Sequence, residues 1–331
     1  MAAAALRFAL RQRRRISFRN KIVLISGASR GLGLELARVF AAEGAQLALL
    51  AREENKLAAA ANELKRGGVE VFTVPCDVRD PEQTRRAVEA VELRLHRIDV
   101  LINNAGVIQV GPIEQMGKDD YADAMAIHFW APLHLIQEVV PVMKRQHAGR
   151  IVNIASIGGK IAVPHLLPYT ASKFALVGLS EGLRAELAKD NILVTTVCPG
   201  LMRTGSHLNA FFKGQQRKEF ALFSLMNAMP LASINSARAA RQIVQACRRG
   251  DAQLIITNQA RLAVVTKNLF PELTADVLSV IGRVLPRAKY ADGTVLKRGW
   301  ESRSVVAPSL LTRLSDNAVE RNLEQPRMNG R

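Results

Sequence analysis

Tyr169 and Lys173 stand four residues apart in the run "YTASK", and on a helix that spacing puts both side chains on one face, about a turn apart. A phenol with a pKa of about 10 shuttles protons poorly near neutrality, and a nearby ammonium favours its ionised form. On that argument Lys173 tunes Tyr169 to give or take a proton on an oxygen atom. A second group of residues suits close approach rather than proton transfer. In "SGASRGLG", Ser26 to Gly33, the glycines Gly27, Gly31 and Gly33 have the spacing G-x-x-x-G-x-G. With no Cβ in the way, backbone N–H groups and the positive end of a helix can meet a pyrophosphate there. Ser29, Arg30 and Leu32 complete the loop.

Positioning these groups is the task of a regular alternation that starts at Lys21. "KIVLIS" reads as a buried strand, "GLGLELARVFAAEG" as a helix ending at Gly44, and "AQLALLA" as a second strand. "VEVFTVP", "IDVLINNAG", "GRIVNIAS", "ILVTTVCPG" and "AQLIIT" follow as strands with helices among them, one of which opens on Pro81. Strand runs that are apolar throughout fit a parallel sheet buried on both faces. The predicted fold class is α/β, a doubly wound Rossmann-type sheet of seven parallel strands in three α/β/α layers. Ligands of such sheets bind beyond the carboxyl ends of the strands. After the second strand comes Ala51-Arg52, where a binder of NAD(H) would place an acid for the adenosine ribose hydroxyls. Arg30 and Arg52 instead offer two guanidinium groups where a 2′-phosphate would lie, which favours NADP(H) over NAD(H). The alternative is that both are solvated arginines of a basic chain.

Composition bounds the rest. The 331 residues are 48% hydrophobic and carry a formal net charge of +17, ample for a globular core. Cys76, Cys198 and Cys247 are scattered among apolar residues, which argues for reduced core thiols and against a disulfide framework or a metal site. No apolar window is long enough for a spanning helix. The arm of residues 1–20 holds Arg7, Arg11, Arg13, Arg14, Arg15 and Arg19, with no acid before Glu35. It is a mitochondrial-type presequence, a surface-binding helix or a solvated extension. No nucleic-acid recognition motif accompanies these arginines, so no nucleic-acid partner is expected. The expected location is the cytoplasm, with peripheral membrane contact or the mitochondrion as alternatives.

The motifs together resemble the classical short-chain dehydrogenase/reductase family: "SGASRGLG", "CDV" at Cys76 to Val78, "NNAG" at Asn103 to Gly106, Ser156, "YTASK", and Pro199-Gly200 followed by Thr204. The likeness runs in order from about Lys21 to Thr257. It implies a nicotinamide cofactor and a homodimer or tetramer. It also implies that Asp77 and Val78 lie at the adenine, that Asn104, Ala105 and Gly106 lie beside the cofactor, and that Pro199, Gly200 and Thr204 lie toward its nicotinamide end. Lys173 would also grip the nicotinamide ribose, and Ser156 would hydrogen-bond the substrate oxygen. Hydride would pass between cofactor and a carbonyl carbon while Tyr169 handles the proton and Ser156 steadies the developing charge. One position departs from the pattern: the helix asparagine that positions a relay water falls on His128. Either this imidazole makes the relay pH-sensitive, or it fills space beside Phe129 and Trp130.

Substrate preference should lie in residues 201–232, the place of the family's mobile lid, where Phe211, Phe212, Phe220, Phe223, Met226 and Met229 either roof an apolar substrate or pack onto the core. With "GGKIAVPHLLP" on the other side, the expected small-molecule substrate is a lipophilic ketone, aldehyde or secondary alcohol of steroid, fatty-acyl or terpenoid size. Residues 21–257 form the catalytic domain. Residues 258–331 are an extension of two amphipathic helices broken near Pro271 and then an irregular tail, which lies on an anionic bilayer, meets a subunit or covers the substrate mouth. The competing function is a non-catalytic NADP-binding scaffold acting through the arm and this extension.

Overall fold

In the computed structural model, residues 2–229, 233–288, 295–303, 309 and 312–325 are described, with side chains from Phe8 onward. The last expected lid residues, 230–232, and tail residues 304–308, 310–311 and 326–331 lie outside them.

Seven parallel strands form one sheet: β1 (Ile22–Ser26), β2 (Gln46–Ala51), β3 (Val71–Pro75), β4 (Val100–Asn103), β5 (Gly149–Ile154), β6 (Ile192–Pro199) and β7 (Gln253–Ile256). Their order is β3-β2-β1-β4-β5-β6-β7, the doubly wound Rossmann-type arrangement. The chain reverses its direction of build between β1 and β4, so a crevice opens there at the carboxyl ends. The pleat explains the continuous apolar runs. Along β1, Val23 and Ile25 enter one buried cluster and Leu24 the other, because successive side chains point to opposite faces and both faces are covered.

The helices, counted from an N-terminal α1 (Ala2–Arg13), divide between those faces. On the Val23 side pack α2 (Gly31–Ala42), α3 (Glu54–Lys65) and α9 (Ser236–Arg249), through residues such as Leu36, Leu57 and Ile243. On the Leu24 side pack α4 (Pro81–Leu95) and α6 (Ala131–Arg145), through Val88 and Leu135, with α7 (Leu167–Leu187) beside β6. Local signals set several boundaries. Asp80 caps α4 by accepting from the N–H groups of Glu82 and Gln83, with Pro81 in the first turn. Gly44, at φ +80°, turns the chain after α2.

The basic arm is docked on this fold. Arg11 Nε and Nη2 donate to Asp251 at 2.6 and 2.7 Å, and Arg150 Nη2 donates to the Arg14 carbonyl at 2.7 Å. Phe18 is fully buried edge-on to Phe40, with centroids 4.9 Å apart. Beyond the sheet, α10 (Asn258–Leu269) and α11 (Pro271–Val284) form a hairpin, and α12 (Arg313–Arg321) returns to the mouth of the crevice.

Removal of a buried ring leaves a cavity the sheet edge cannot close. Phe18→Ala should therefore cost about 3–5 kcal/mol in urea unfolding; a loss below about 1 kcal/mol would mean that the segment is not part of the core.

Candidate active site

The glycine loop is fixed from β4. Asn104 Nδ2 donates to the carbonyls of Ser26 and Gly27, both at 3.1 Å, while Ser26 Oγ accepts from the Asn104 and Ala105 N–H groups at 3.0 and 3.2 Å. The space so defined has no room for side chains. A Cβ on Gly33 would sit 2.1 Å from the Gly27 carbonyl oxygen and 2.6 Å from Asn104 Nδ2. The start of α2 is thus presented as bare backbone with its dipole aimed into the cleft, a fit for the pyrophosphate of a dinucleotide. The cleft has a volume of about 430 Å³, within the usual range for small-molecule sites.

Ser156, Tyr169 and Lys173 converge beside it. Ser156 caps the short 3-10 turn Ile157–Gly159, its Oγ accepting from the Gly158 N–H at 3.0 Å, and it is close enough to the Tyr169 hydroxyl to favour the phenolate. Lys173, 5% exposed, donates from Nζ to the Ile154 carbonyl at 2.8 Å and lies 5.6 Å from the Tyr169 ring centroid. The two pKa values move opposite to the expectation that the ammonium tunes the phenol. Burial raises Tyr169, with Ser156 pulling it back, and burial brings Lys173 down to about 7. Desolvation is the largest cause of both shifts, disfavouring phenolate and ammonium alike. Tyr169 is therefore held as a protonated phenol.

His128 is 1% exposed in a π-helical turn, Ala126–Trp130. Its Nε2 accepts from the Val107 N–H at 3.2 Å, which puts the proton on Nδ1, 2.8 Å from Ser172 Oγ. Ser172 in turn donates to the Tyr169 carbonyl at 2.7 Å. Burial and the Lys173 charge hold His128 well below its usual pKa, which favours the neutral ring. Its ring ties the stretch after β4 to the helix turn carrying Tyr169, with ring centroids 5.2 Å apart.

At the far end of the cleft lie Arg30, Arg52, Asp77 and Val78, joined by Arg79, which sequence reasoning missed. Arg79 Nη2 donates to Asp77 at 2.6 Å and holds its carboxyl below the usual range, while Arg52 stands 3.9 Å from Asp77. Arg30 and Arg52 both lie near Glu53, but Arg30 is engaged elsewhere. It donates to Asn209 at 3.0 Å and lies 3.4 Å from the carboxylate of Glu324.

Glu324 belongs to a clasp in a tail that carries no motif. Arg321 pairs with the buried Glu35 at 3.1 Å, the Asn322 carbonyl accepts from the Gly31 N–H at 2.9 Å, and Asn322 Nδ2 donates to the Thr204 carbonyl at 2.8 Å. Asn209 Nδ2 donates to Glu324 Oε2 at 2.6 Å. Glu324 is 4% exposed, and burial raises its pKa against the pull of Arg30 and Asn209. Within α12, Asp316 lies 3.5 Å from Nε2 of the buried His207.

In this structure part of the expected lid packs as a wall of the cleft. Phe212 and Phe220 are buried with Val110, Leu208 and Val319, Phe211 lines the cleft, and Met226 and Met229 are 45% and 54% exposed. A three-stranded sheet of Gln109–Val110, Phe211–Phe212 and Lys297–Arg298 crosses the mouth, and a 2.6 Å pair from Lys213 to Asp120 locks it. Of the expected site residues, Gly27, Ser29, Gly31, Leu32, Ala105, Gly106 and Thr204 also line the cleft, whereas Gly33, Ser156, Pro199 and Gly200 are not part of its lining.

A parallel sheet with a glycine loop at its switch point and a Ser-Tyr-Lys group at the next carboxyl end defines a nucleotide-binding oxidoreductase architecture. The sequence profile of the short chain dehydrogenases matches residues 21–212, and the chain belongs to that family. It is an oxidoreductase of the kind that acts on CH–OH and C=O groups. It is 31% identical over 286 residues to dehydrogenase/reductase SDR family member 7B of Bos taurus, covering 84% of this chain and 86% of that one. It is 30% identical over 268 residues to the ketoacyl reductase HetN of Nostoc, covering 80% and 85%. Among solved structures, L-sorbose reductase from Gluconobacter frateurii complexed with NADPH and L-sorbose superposes with a TM-score of 0.66 at 28% identity, over 73% of this chain and 97% of that one.

Lys173 should leave a thermodynamic signature. In the unfolded chain it keeps its proton up to the ordinary value of 10.5, whereas in the fold it gives it up near 7. Between those values the unfolded chain binds more protons, so the stability of the ligand-free protein rises with pH. Urea unfolding at about pH 7 and about pH 9.5 should show this rise, and Lys173→Met should flatten it; an equal rise in the variant would mean that Lys173 is not desolvated.

Proposed function

We propose that the protein is an NADP(H)-dependent oxidoreductase that interconverts lipophilic ketones or aldehydes and secondary alcohols, working chiefly as a reductase. The observation that carries this is the cluster of Ser156, protonated Tyr169 and buried Lys173 at the carboxyl end of β5. When bound, a nicotinamide cofactor supplies the hydride. Tyr169, held as a phenol, donates its proton to the oxygen of a carbonyl undergoing reduction. Ser156 hydrogen-bonds the same oxygen and steadies its developing charge. Lys173 offers Nζ–H groups to a ribose hydroxyl and, once charged, favours the phenolate left on Tyr169. Gly27, Gly31, Leu32 and Asn104 would hold the pyrophosphate region and Thr204 the nicotinamide side.

Arg30, Arg52 and Arg79 at one end of the cleft support a 2′-phosphate over the bare ribose, and L-sorbose reductase was solved with NADPH. Val107, Ile108, Phe211 and Leu296 support an apolar substrate, and HetN is named a ketoacyl reductase.

NADPH and NADH oxidation should be compared over carbonyls graded from small polar to steroid-sized. The expected result is turnover with NADPH and bulky apolar carbonyls, falling at least about a thousandfold in Tyr169→Phe. Tight NADPH binding with no turnover in either direction would replace the enzyme by the scaffold. Glu324 places a buried negative charge at the anion-binding end of α2, so Glu324→Gln, which keeps an acceptor for Asn209, should lower the KM for NADPH about three- to tenfold. An increase would make Glu324 a fastener of Arg30 instead.

A further inference from the structure

The hairpin of α10 and α11 turns its apolar side outward. Leu262, Val265 and Leu269 on α10 and Leu273, Val277 and Val280 on α11 are each 50–68% exposed. On α11 they lie four and then three residues apart, one stripe of an amphipathic helix, and α11 buries none of its residues. Phe270, 56% exposed, joins the two stripes at the turn. A contiguous apolar face of this kind marks a docking surface rather than ordinary solvent exposure.

A cavity opens at the first turn of α10. Arg203, Arg238, Arg241 and Arg261 line it and no acidic side chain does; among the described residues none of the four forms an ion pair with a carboxylate. Arg203 is held in place by Ser233, donating to its carbonyl and its hydroxyl at 2.7 Å each. The N-caps of α9 and α10, Asn235 and Thr257, also line it, so two helix dipoles add to the positive field. Burial and the neighbouring Arg238 charge both lower the pKa of Arg203, as expected where like charges gather without a counter-ion.

We propose that the hairpin lies in the surface of an anionic bilayer, with its apolar stripe among the acyl chains and a lipid phosphate in the four-arginine cavity. An apolar helix face bordered by cations is the pattern of an interfacial anchor. A second copy of this chain is the poorer occupant, since it brings the same net charge of +17 and the same arginines. Because α10 leaves the carboxyl end of β7, docking sets the cleft's edge of the sheet toward the membrane. None of this rests on the proposed substrate.

The test is co-sedimentation of the full chain with vesicles of phosphatidylcholine alone or with about 30% phosphatidylglycerol. Wild type should partition at least about tenfold better into the anionic vesicles. Leu273→Ser/Val277→Ser/Val280→Ser and Arg238→Gln/Arg241→Gln/Arg261→Gln should each lose at least about tenfold, with unchanged unfolding midpoints. Equal partition into both vesicles, no partition, or wild-type partition by either variant overturns the proposal. Glycerol phosphate raising the melting temperature of a wild type that ignores vesicles overturns it in favour of a soluble phosphate ligand. A dimer that the serine variant converts to a monomer, by light scattering, overturns it in favour of a second copy.

Discussion

One amide side chain holds the cleft in register. Asn104, at the end of β4, hydrogen-bonds two consecutive carbonyls at the end of β1, and the Ser26 hydroxyl returns two contacts to β4. The two strands are neighbours in the sheet, but their onward connections run in opposite directions, so nothing in the ladder itself would fix the loops above them. This exchange does so. It fixes Gly27 and Gly33 at backbone-to-backbone distance and aims the start of α2 at the cleft. The stretch after Asn104 then passes to His128, and through Ser172 to the backbone of Tyr169. The glycine loop and the turn carrying Tyr169 are thus linked by a chain of hydrogen bonds.

Charge is distributed to match. The proton-handling end is desolvated, so that it favours a neutral phenol and weakens the hold of Lys173 on its own charge. The other end concentrates guanidinium groups around Asp77. Arg30 stands between them, held by Asn209 and Glu324. A carboxylate there gives the cationic loop a counter-ion from its own chain, and leaves an incoming phosphate in competition with it.

Much of this was legible in the residue order. Apolar runs with two buried faces fit inner strands of a covered sheet, and strand-glycine-helix order places the loop at a carboxyl end, whereas Tyr169 and Lys173 stood out through their spacing together with the family resemblance. The direction of their pKa shifts did not, because burial and the choice of Ile154 as partner for Lys173 are properties of packing. Phe212 and Phe220 were indistinguishable from Phe211 by type; only the small sheet across the mouth sorts core from cleft. Asn322 and Glu324 were invisible for another reason. Their partners, Gly31, Thr204 and Ser236, lie far away in sequence, and no local pattern announces a long-range polar contact.

That separation has a consequence in time. Synthesis proceeds at about 5–20 residues per second, so Glu324 reaches the glycine loop roughly 15–60 s after Gly31 is made. Through that interval the nascent sheet can form and even collect small anions, while the rim that Asn322 and Glu324 complete is still open. The cleft is therefore completed by residues made long after its glycine loop, and a chain released short of Asn322 and Glu324 carries Ser156, Tyr169 and Lys173 beside an unclosed cleft.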